Sequence, residues 1–135
     1  MPPETSAVNR LPVRVYFEDT DWSGYCYHGS YVRFMERGRT ELLRMAGIHQ
    51  SDLHGEGGVS FVVRRMSLDF MKPARMDDEL TVTTEVKEMR GATMILAQAV
   101  LRGEEILVAA AVTVGAIREG RAARIPERVR AAFAG

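Results

Sequence analysis

Only one stretch of this chain repeats its apolar residues at the spacing of a helix, while nearly everything after it repeats at the spacing of a strand. Tyr31, Phe34, Met35, Gly38, Leu42 and Met45 fall on one side of a helical wheel, with Arg33, Glu36, Arg37, Glu41 and Arg44 on its flanks and far side. The spacing predicts one long helix of about four turns, with Ser30 as its N-cap and Gly47 as its stop. Gly38 lies in the middle of the apolar stripe, where glycine costs a helix about 1 kcal/mol. Its presence there implies that another piece of backbone or sheet comes very close.

Around that helix the periods are those of strands. Val13, Val15 and Phe17 alternate with Arg14, Tyr16 and Glu18, which reads as a first strand with one buried face. Four extended segments follow the helix, at 60–71, 79–88, 93–101 and 105–115, separated by Lys72-Pro73-Ala74, Arg90-Gly91 and Arg102-Gly103. They read as hairpin-connected antiparallel strands. The segment 50–58 is polar and holds three glycines, so a mobile loop with at most one helical turn is expected there. Pro126 is placed to open a short terminal helix over 127–133. Residues 1–10 are Pro-rich and polar and are expected to be disordered, leaving 11–135 as one domain.

This order gives an α+β fold in which one helix is covered by a curved, five-stranded antiparallel sheet. A chain of 135 residues, 46% of them hydrophobic, has material for one core and no more. A single sheet around a single helix leaves its outer face and its edges bare, a problem that pairing with another copy would solve.

Charge and cysteine content narrow the function. The 18 basic side chains, all Arg except Lys72 and Lys87, are balanced by 18 acidic ones. Without a net positive field, nucleic acid is not an expected partner, and any phosphate must be met by a few local cations. The apolar run 106–117 is 12 residues long, too short for the roughly 20 that a membrane span needs. One cysteine rules out an internal disulfide framework, and the start lacks a signal-peptide pattern, so a cytoplasmic protein is expected.

Serine-elbow, phosphate-loop and zinc-protease motifs are absent, and His28, His49 and His54 lack metal-ligand spacing, so neither a metal nor another cofactor is expected. What remains is Glu18-Asp19-Thr20-Asp21, then Ser23-Gly24 and Tyr27-His28 leading into the helix. Acidic residues before a helix often serve only to complement its dipole and cap its amides. Beside Trp22, Tyr25 and Tyr27, however, a carboxylate could sit in an apolar pocket that raises its basicity, with helix-terminal amides ready for an oxyanion. Cys26 and His28 would share a face of an extended chain, although a lone cysteine more often fills an apolar slot.

The stretch Val15-Tyr16-Phe17-Glu18-Asp19-Thr20-Asp21, with Gly24, Tyr27-His28, Tyr31, Phe34, Glu36-Arg37 and Arg39-Thr40-Glu41, resembles the signature of the hotdog-fold acyl-CoA thioesterases. Within them it is most similar to the 4-hydroxybenzoyl-CoA and Tol-Pal-associated group. The likeness continues through Phe61-Val62-Val63-Arg64-Arg65, Leu68-Asp69-Phe70, Lys72-Pro73-Ala74-Arg75, Asp77-Asp78 and Ile125-Pro126. It implies a helix wrapped by a sheet, protomers paired into a homodimer and further into a homotetramer, and acyl-CoA sites at the interface. Coenzyme A is then part of the substrate.

By the same resemblance, Asp21 is the catalytic carboxylate, His28 orients water or substrate, and the helix start near His28 polarises the thioester carbonyl. Gly24, Tyr27, Tyr31 and Phe61 are expected at the substrate. Arg64, Arg65, Lys72, Arg75 and Arg90 are candidates for the CoA phosphates, since guanidinium groups bind phosphate well. Trp22, Tyr25 and Cys26 stand where the family commonly has small or aliphatic residues, and Ser30 where it has Asn.

Asp21 could act as nucleophile or as general base. Glu36 points nearly opposite the apolar stripe and Glu41 lies on its shoulder, so both read as solvent or interface residues ahead of catalysts. The competing functions are a non-catalytic acyl-CoA or acyl-carrier binding module and a hydratase-type hotdog. The seven-residue gap from Asp21 to His28 fits the hydratase poorly.

Overall fold

The computed structural model describes residues 8–133. In chain order it has β1 (Val8–Arg14), a 3-10 turn (Phe17–Asp19), α1 (His28–Met45), α2 (Gln50–Gly57), β2 (Val59–Phe70), β3 (Glu79–Arg90), β4 (Thr93–Arg102), β5 (Glu105–Arg118), β6 (Arg121–Ala122) and α3 (Glu127–Phe133). The long strands form one antiparallel sheet in the order β1-β3-β4-β5-β2, curled around α1, with the two-residue β6 added beside β5. This is the hotdog arrangement expected from the sequence. None of the helices among the described residues is long and apolar enough to cross a membrane.

The predicted stripe on α1 is buried at Tyr31, Phe34, Met35, Gly38 and Leu42, which face the sheet, whereas Met45 in the last turn is 48% exposed. The core has two halves along the helix. Tyr31, Phe34 and Met35 pack with Val13, Val15 and Leu80, while Leu42 and Leu43 pack with Leu96, Val112 and Val129 of the terminal helix. Between the halves lies a polar bridge. Gln98, 3% exposed, donates from Nε2 to the Met35 carbonyl and to Thr84 Oγ1, both at 2.9 Å, and its Oε1 accepts from Arg39 at 3.0 Å.

Gly38 sits directly over that bridge. A Cβ there would lie 2.7 Å from Thr84 Oγ1, 2.9 Å from Val82 Cγ1 and 3.1 Å from Gln98 Nε2. The close approach that the sequence implied is therefore onto side chains of β3 and β4.

Several local expectations need correction. The first strand begins at Val8, so Val8, Asn9 and Arg10 are ordered into β1, while residues 1–7 lie outside the described residues. It ends at Arg14, and the alternation fails at Phe17, which is 80% exposed, because Asp19 bends 17–19 into a turn by accepting the Tyr16 N–H at 2.8 Å. The helix starts at His28, and Ser30 is not its cap; its hydroxyl donates to the Asp19 carbonyl at 3.0 Å. Residues 50–57 form α2 where a loop was expected, closed by Gly58 at φ +67°.

The larger correction concerns topology. The β3–β4 and β4–β5 connections are hairpins, but β2 pairs with β5 rather than with β3. The segment 71–78 therefore crosses the end of the sheet from one edge to the β1 side. It is fastened on the way: Met71 N–H to the Leu107 carbonyl at 2.8 Å, Cys26 N–H to the Ala74 carbonyl at 2.8 Å, and Ala74 N–H to the Tyr31 hydroxyl at 3.0 Å. That crossover brings Lys72-Pro73-Ala74-Arg75 beside the start of α1.

Replacing Gly38 by Val should cost about 3 kcal/mol, since the added atoms must displace Thr84, Val82 and Gln98 in a close-packed layer. Urea unfolding of the variant against the parent measures this, and an unchanged midpoint would contradict the packing described.

Candidate active site

The site grows from the way the chain enters α1. After β1, the 3-10 turn is followed by a tight reversal in which Asp21 N–H donates to the Tyr25 carbonyl at 3.0 Å and Gly24 N–H to the Asp21 carbonyl at 3.1 Å. Gly24 has φ +88°, a conformation that favours glycine and lets the reversal close. Thr20 pairs with Cys26, and Tyr25 with Arg75 of the crossover, so the reversal is clamped from both sides. Tyr27 N–H then donates to the Asp19 carbonyl at 2.8 Å and the helix begins.

Tyr27 occupies the N-cap position but makes no side-chain capping bond. The N–H groups of His28 and Gly29 consequently have no acceptor among the described residues. These two donors, at the positive end of an 18-residue helix, suit a developing oxyanion. The Tyr27 ring folds back over Gly29, where a Cβ would come within 2.6 Å of Tyr27 Cε2. It lies 4.3 Å from the His28 ring, centroid to centroid; Phe70 is 6.2 Å from His28 and 5.9 Å from Tyr31. Cys26, His28, Tyr31, Phe70, Met71 and Pro73 border a depression of about 210 Å³ at this place.

Asp21 is fully exposed, and Trp22 beside it is 97% exposed. The apolar pocket expected to raise its basicity is not formed around it in the single chain. Instead Ser23 donates to Asp21 Oδ1 twice, from its hydroxyl and from its N–H (2.8 Å), and these bonds hold the carboxyl below the ordinary carboxylate range. Oδ1 is thereby occupied and Oδ2 is the oxygen left for chemistry. The buried carboxylate of the cluster is Asp19, 7% exposed and paired with Arg33 at 3.2 Å.

Cys26 takes the apolar slot: it is 6% exposed, and burial pushes its thiol up to about 11, so it is not a thiolate partner for His28. Tyr31 is buried with its hydroxyl on Ala74, and burial raises it to about 12. Glu41 pairs with Arg44 at 2.7 Å, and Glu36 is exposed on the outer side of α1.

Asp21, Gly24, Tyr27, His28 and Tyr31 thus gather at one end of α1. Phe61 does not join them; it lies in a separate cleft of about 360 Å³ between α1 and β2, with Val62, Val63, Arg39 and Leu43. Among the cations, Arg75 stays near, its guanidinium 5.3 Å over the Tyr25 ring and its N–H group 3.4 Å from the Tyr25 hydroxyl. Lys72 is near as well but is bound to Glu105 at 2.5 Å. Arg64 lies over Gly115 at the β2 bulge and Arg65 pairs opposite Thr113, on the sheet face turned away from α1. Arg90, ion-paired with Glu88, is at the other end of β3, roughly 35 Å along the strand from Glu79.

The sequence reading missed Ser23, Gly29 and the pair Asp19–Arg33. It also missed Arg102, which fixes the crossover by bonding Asp78 at 2.8 Å and Glu105 at 3.1 Å. Ser23 two residues after an aspartate is an ordinary Asx-turn signal and could have been found. Arg33 on Asp19 and Arg102 on Asp78 join partners 14 and 24 positions apart, and no local pattern announces them.

A model of the thioesterase superfamily matches residues 23–109. The acyl-CoA thioester hydrolase YbgC of Escherichia coli O6:H1 is 48% identical over 99 residues, 73% of each chain. The acyl-CoA thioesterase YbgC of Haemophilus influenzae is 42% identical over 125 residues, 91% of this chain and 92% of that one. The crystal structure of a probable thioesterase from Bartonella henselae superposes with a TM-score of 0.86 at 41% identity, covering 89% of this chain and all of the other. With its helix cradled by an antiparallel sheet and with these relatives, the chain belongs to the thioesterase superfamily.

Proposed function

We propose that this protein hydrolyses acyl-CoA thioesters at the start of α1, with Asp21 as the catalytic carboxylate. The observation that carries the proposal is the pairing of an ionised, solvent-facing Asp21 with two unused amides, those of His28 and Gly29, on the same clamped segment. The kinship with acyl-CoA thioester hydrolases at 42–48% identity supports the substrate class.

In one route Asp21 Oδ2 attacks the thioester carbon, the CoA thiolate leaves, and water then cleaves the mixed anhydride. In the other, Asp21 takes a proton from water, the hydroxide adds to the carbonyl, and the departing thiolate collects the proton. Either way the carbonyl oxygen gains charge that the His28 and Gly29 amides can meet, each such donor being worth roughly 2.7–4 kcal/mol. His28 is exposed beside Tyr27 and suits the orientation of water or substrate. Tyr31 lines the depression and the Tyr27 ring stands against His28 at its rim, which suits both to the acyl end; Gly24 serves by closing the reversal, and Arg75 is the cation suited to meet an anionic part of CoA. Only water and the thioester are consumed, so the chemistry calls for no resident cofactor.

The proposal includes a homodimer formed along β2 and, across the bare outer sheet face, a homotetramer. Among the described residues β2 is the last strand at its end of the sheet, with Val62 and Val63 exposed at 39% and 45%. Antiparallel pairing of two β2 edges would set the beginning of one strand against the end of the other, carrying Phe61 of one copy toward Phe70 and His28 of its mate. The α1–β2 cleft beside that edge also holds the half-buried Arg39, whose hydrogen-bond partner is the neutral amide of Gln98. A cytoplasmic site of action fits the single buried thiol.

Asp21→Asn should lower turnover at least about 10²-fold without unfolding the chain, measured as free thiol released from a panel of acyl-CoAs. Binding without thiol release by the parent protein would instead favour a binding module, and water addition to an enoyl-CoA a hydratase. The acid limb of the rate should lie below the ordinary carboxylate range, because activity is lost only as pH falls through the lowered Asp21 value. Ser23→Ala removes the hydroxyl bond that lowers it and should move the limb upward. Val63→Glu places a charge on the β2 edge and should halve the mass seen by light scattering and depress turnover together; an unaltered mass would place the interface elsewhere.

A further inference from the structure

We infer that Asp19 and Arg33 are positioning residues for this reaction: their ion pair, in which Asp19 is buried and Arg33 half exposed, fixes the distance between the Asp21 carboxylate and the amides at the start of α1. The inference rests on the assignment of Asp21 proposed above. Asp19 is the buried acid of its cluster, 7% exposed, while Glu18 and Asp21 on either side are exposed. Every polar atom it can offer as an acceptor is used. Oδ2 accepts the Tyr16 N–H at 2.8 Å and Oδ1 accepts Arg33 at 3.2 Å; its carbonyl accepts both Tyr27 N–H at 2.8 Å and the Ser30 hydroxyl at 3.0 Å. Arg33 reaches the same point from the second turn of α1 and also donates to Ser30 Oγ at 3.1 Å.

The consequence lies in the connectivity. From Asp21 the chain runs back through Thr20 to Asp19, crosses one hydrogen bond to Tyr27, and arrives at His28 and Gly29, whose amides are unused. Apart from that hydrogen bond the path is covalent, so the setting of Asp19 acts, alongside the Asp21–Tyr25 and Thr20–Cys26 pairings, on where Asp21 stands relative to the helix end. Stability alone does not require a charge here, because buried ion pairs are often replaceable by apolar residues at no loss. A carboxylate does something an apolar side chain cannot: it binds the β1 side through Tyr16 and the helix through Arg33 at once. Displacement of a reacting group by about 1 Å can cost on the order of 10²-fold in rate.

The test is a double-mutant cycle on thiol release, with Asp19→Asn, Asp21→Asn and the double variant, and thermal unfolding followed for each. Asp19→Asn is expected to lower kcat on the order of 10-fold to 10²-fold with KM changed less than about twofold, the pattern of a lost transition-state interaction. Adding Asp19→Asn to Asp21→Asn should bring no further loss, since a misplaced carboxylate matters only while it is there. Arg33→Gln, altered at a half-exposed side chain, should lower kcat in the same direction if Asp19→Asn does not fold, and Arg33→Lys should restore part of it. Losses that add in the double variant, a loss confined to KM, or unchanged kcat in folded Asp19→Asn or Arg33→Gln would overturn the positioning role. Wild-type turnover by Asp21→Asn would instead remove the assignment on which the inference rests.

Discussion

The structure hangs on the contact between α1 and the sheet at Gly38. With one helix available, its apolar stripe must supply one wall of the whole core, and the sheet must come to it along its full length. Gly38 permits this by leaving no Cβ between the helix backbone and Thr84, Val82 and Gln98. The gap is closed by polar atoms that satisfy one another, Gln98 on Met35 and Thr84, so this close approach of helix and sheet is specified by hydrogen bonds as well as by packing. On either side the apolar halves follow, and the helix is held in one register over the strands.

Holding the helix in register fixes where it begins, and the candidate active site is a consequence of that end. The chain reaches α1 through a segment tied to β1 by Asp19, to the crossover by Cys26 and Ala74, and to Arg75 by Tyr25. Within it the two carboxylates are divided by environment. Asp19 is buried and fully engaged, while Asp21 is solvated with one oxygen held by Ser23 and the other open. A group that takes part in chemistry needs a free oxygen and a stable ionised form, and Asp21 has both. The helix end is left uncapped by Tyr27, a loss to helix stability that leaves two amides unused.

The placement of the cations follows from the crossover. Because β2 runs at the far edge of the sheet and must return to β3, residues 71–78 pass the start of α1 and bring Lys72 and Arg75 with them. Arg64, Arg65 and Arg90 are left on the outer face or the opposite end. In the proposed site, a protein of zero net charge would thus meet anions by topology rather than by its field. The same topology leaves β2 as the last strand at its end of the sheet among the described residues, next to the cleft that contains Phe61.

Much of this was legible in the chain. Helical period over Tyr31–Met45, period two in the later strands, and the role of Gly38 as a point of close approach are local or periodic facts, and such facts survive folding because they reflect which face must be buried. The likeness carried by the stretch around Asp21 and the start of α1 likewise named the family, and the proposed site lies at the helix end that this stretch leads into. What the sequence could not decide were partners: that β2 pairs with β5, that Ser30 serves Asp19 rather than capping, and that Trp22 stands in solvent instead of walling in Asp21. Each depends on which residue many positions away comes to lie opposite. Burial and hydrogen bonding across the sheet settle that, whereas propensity acts only over neighbouring residues.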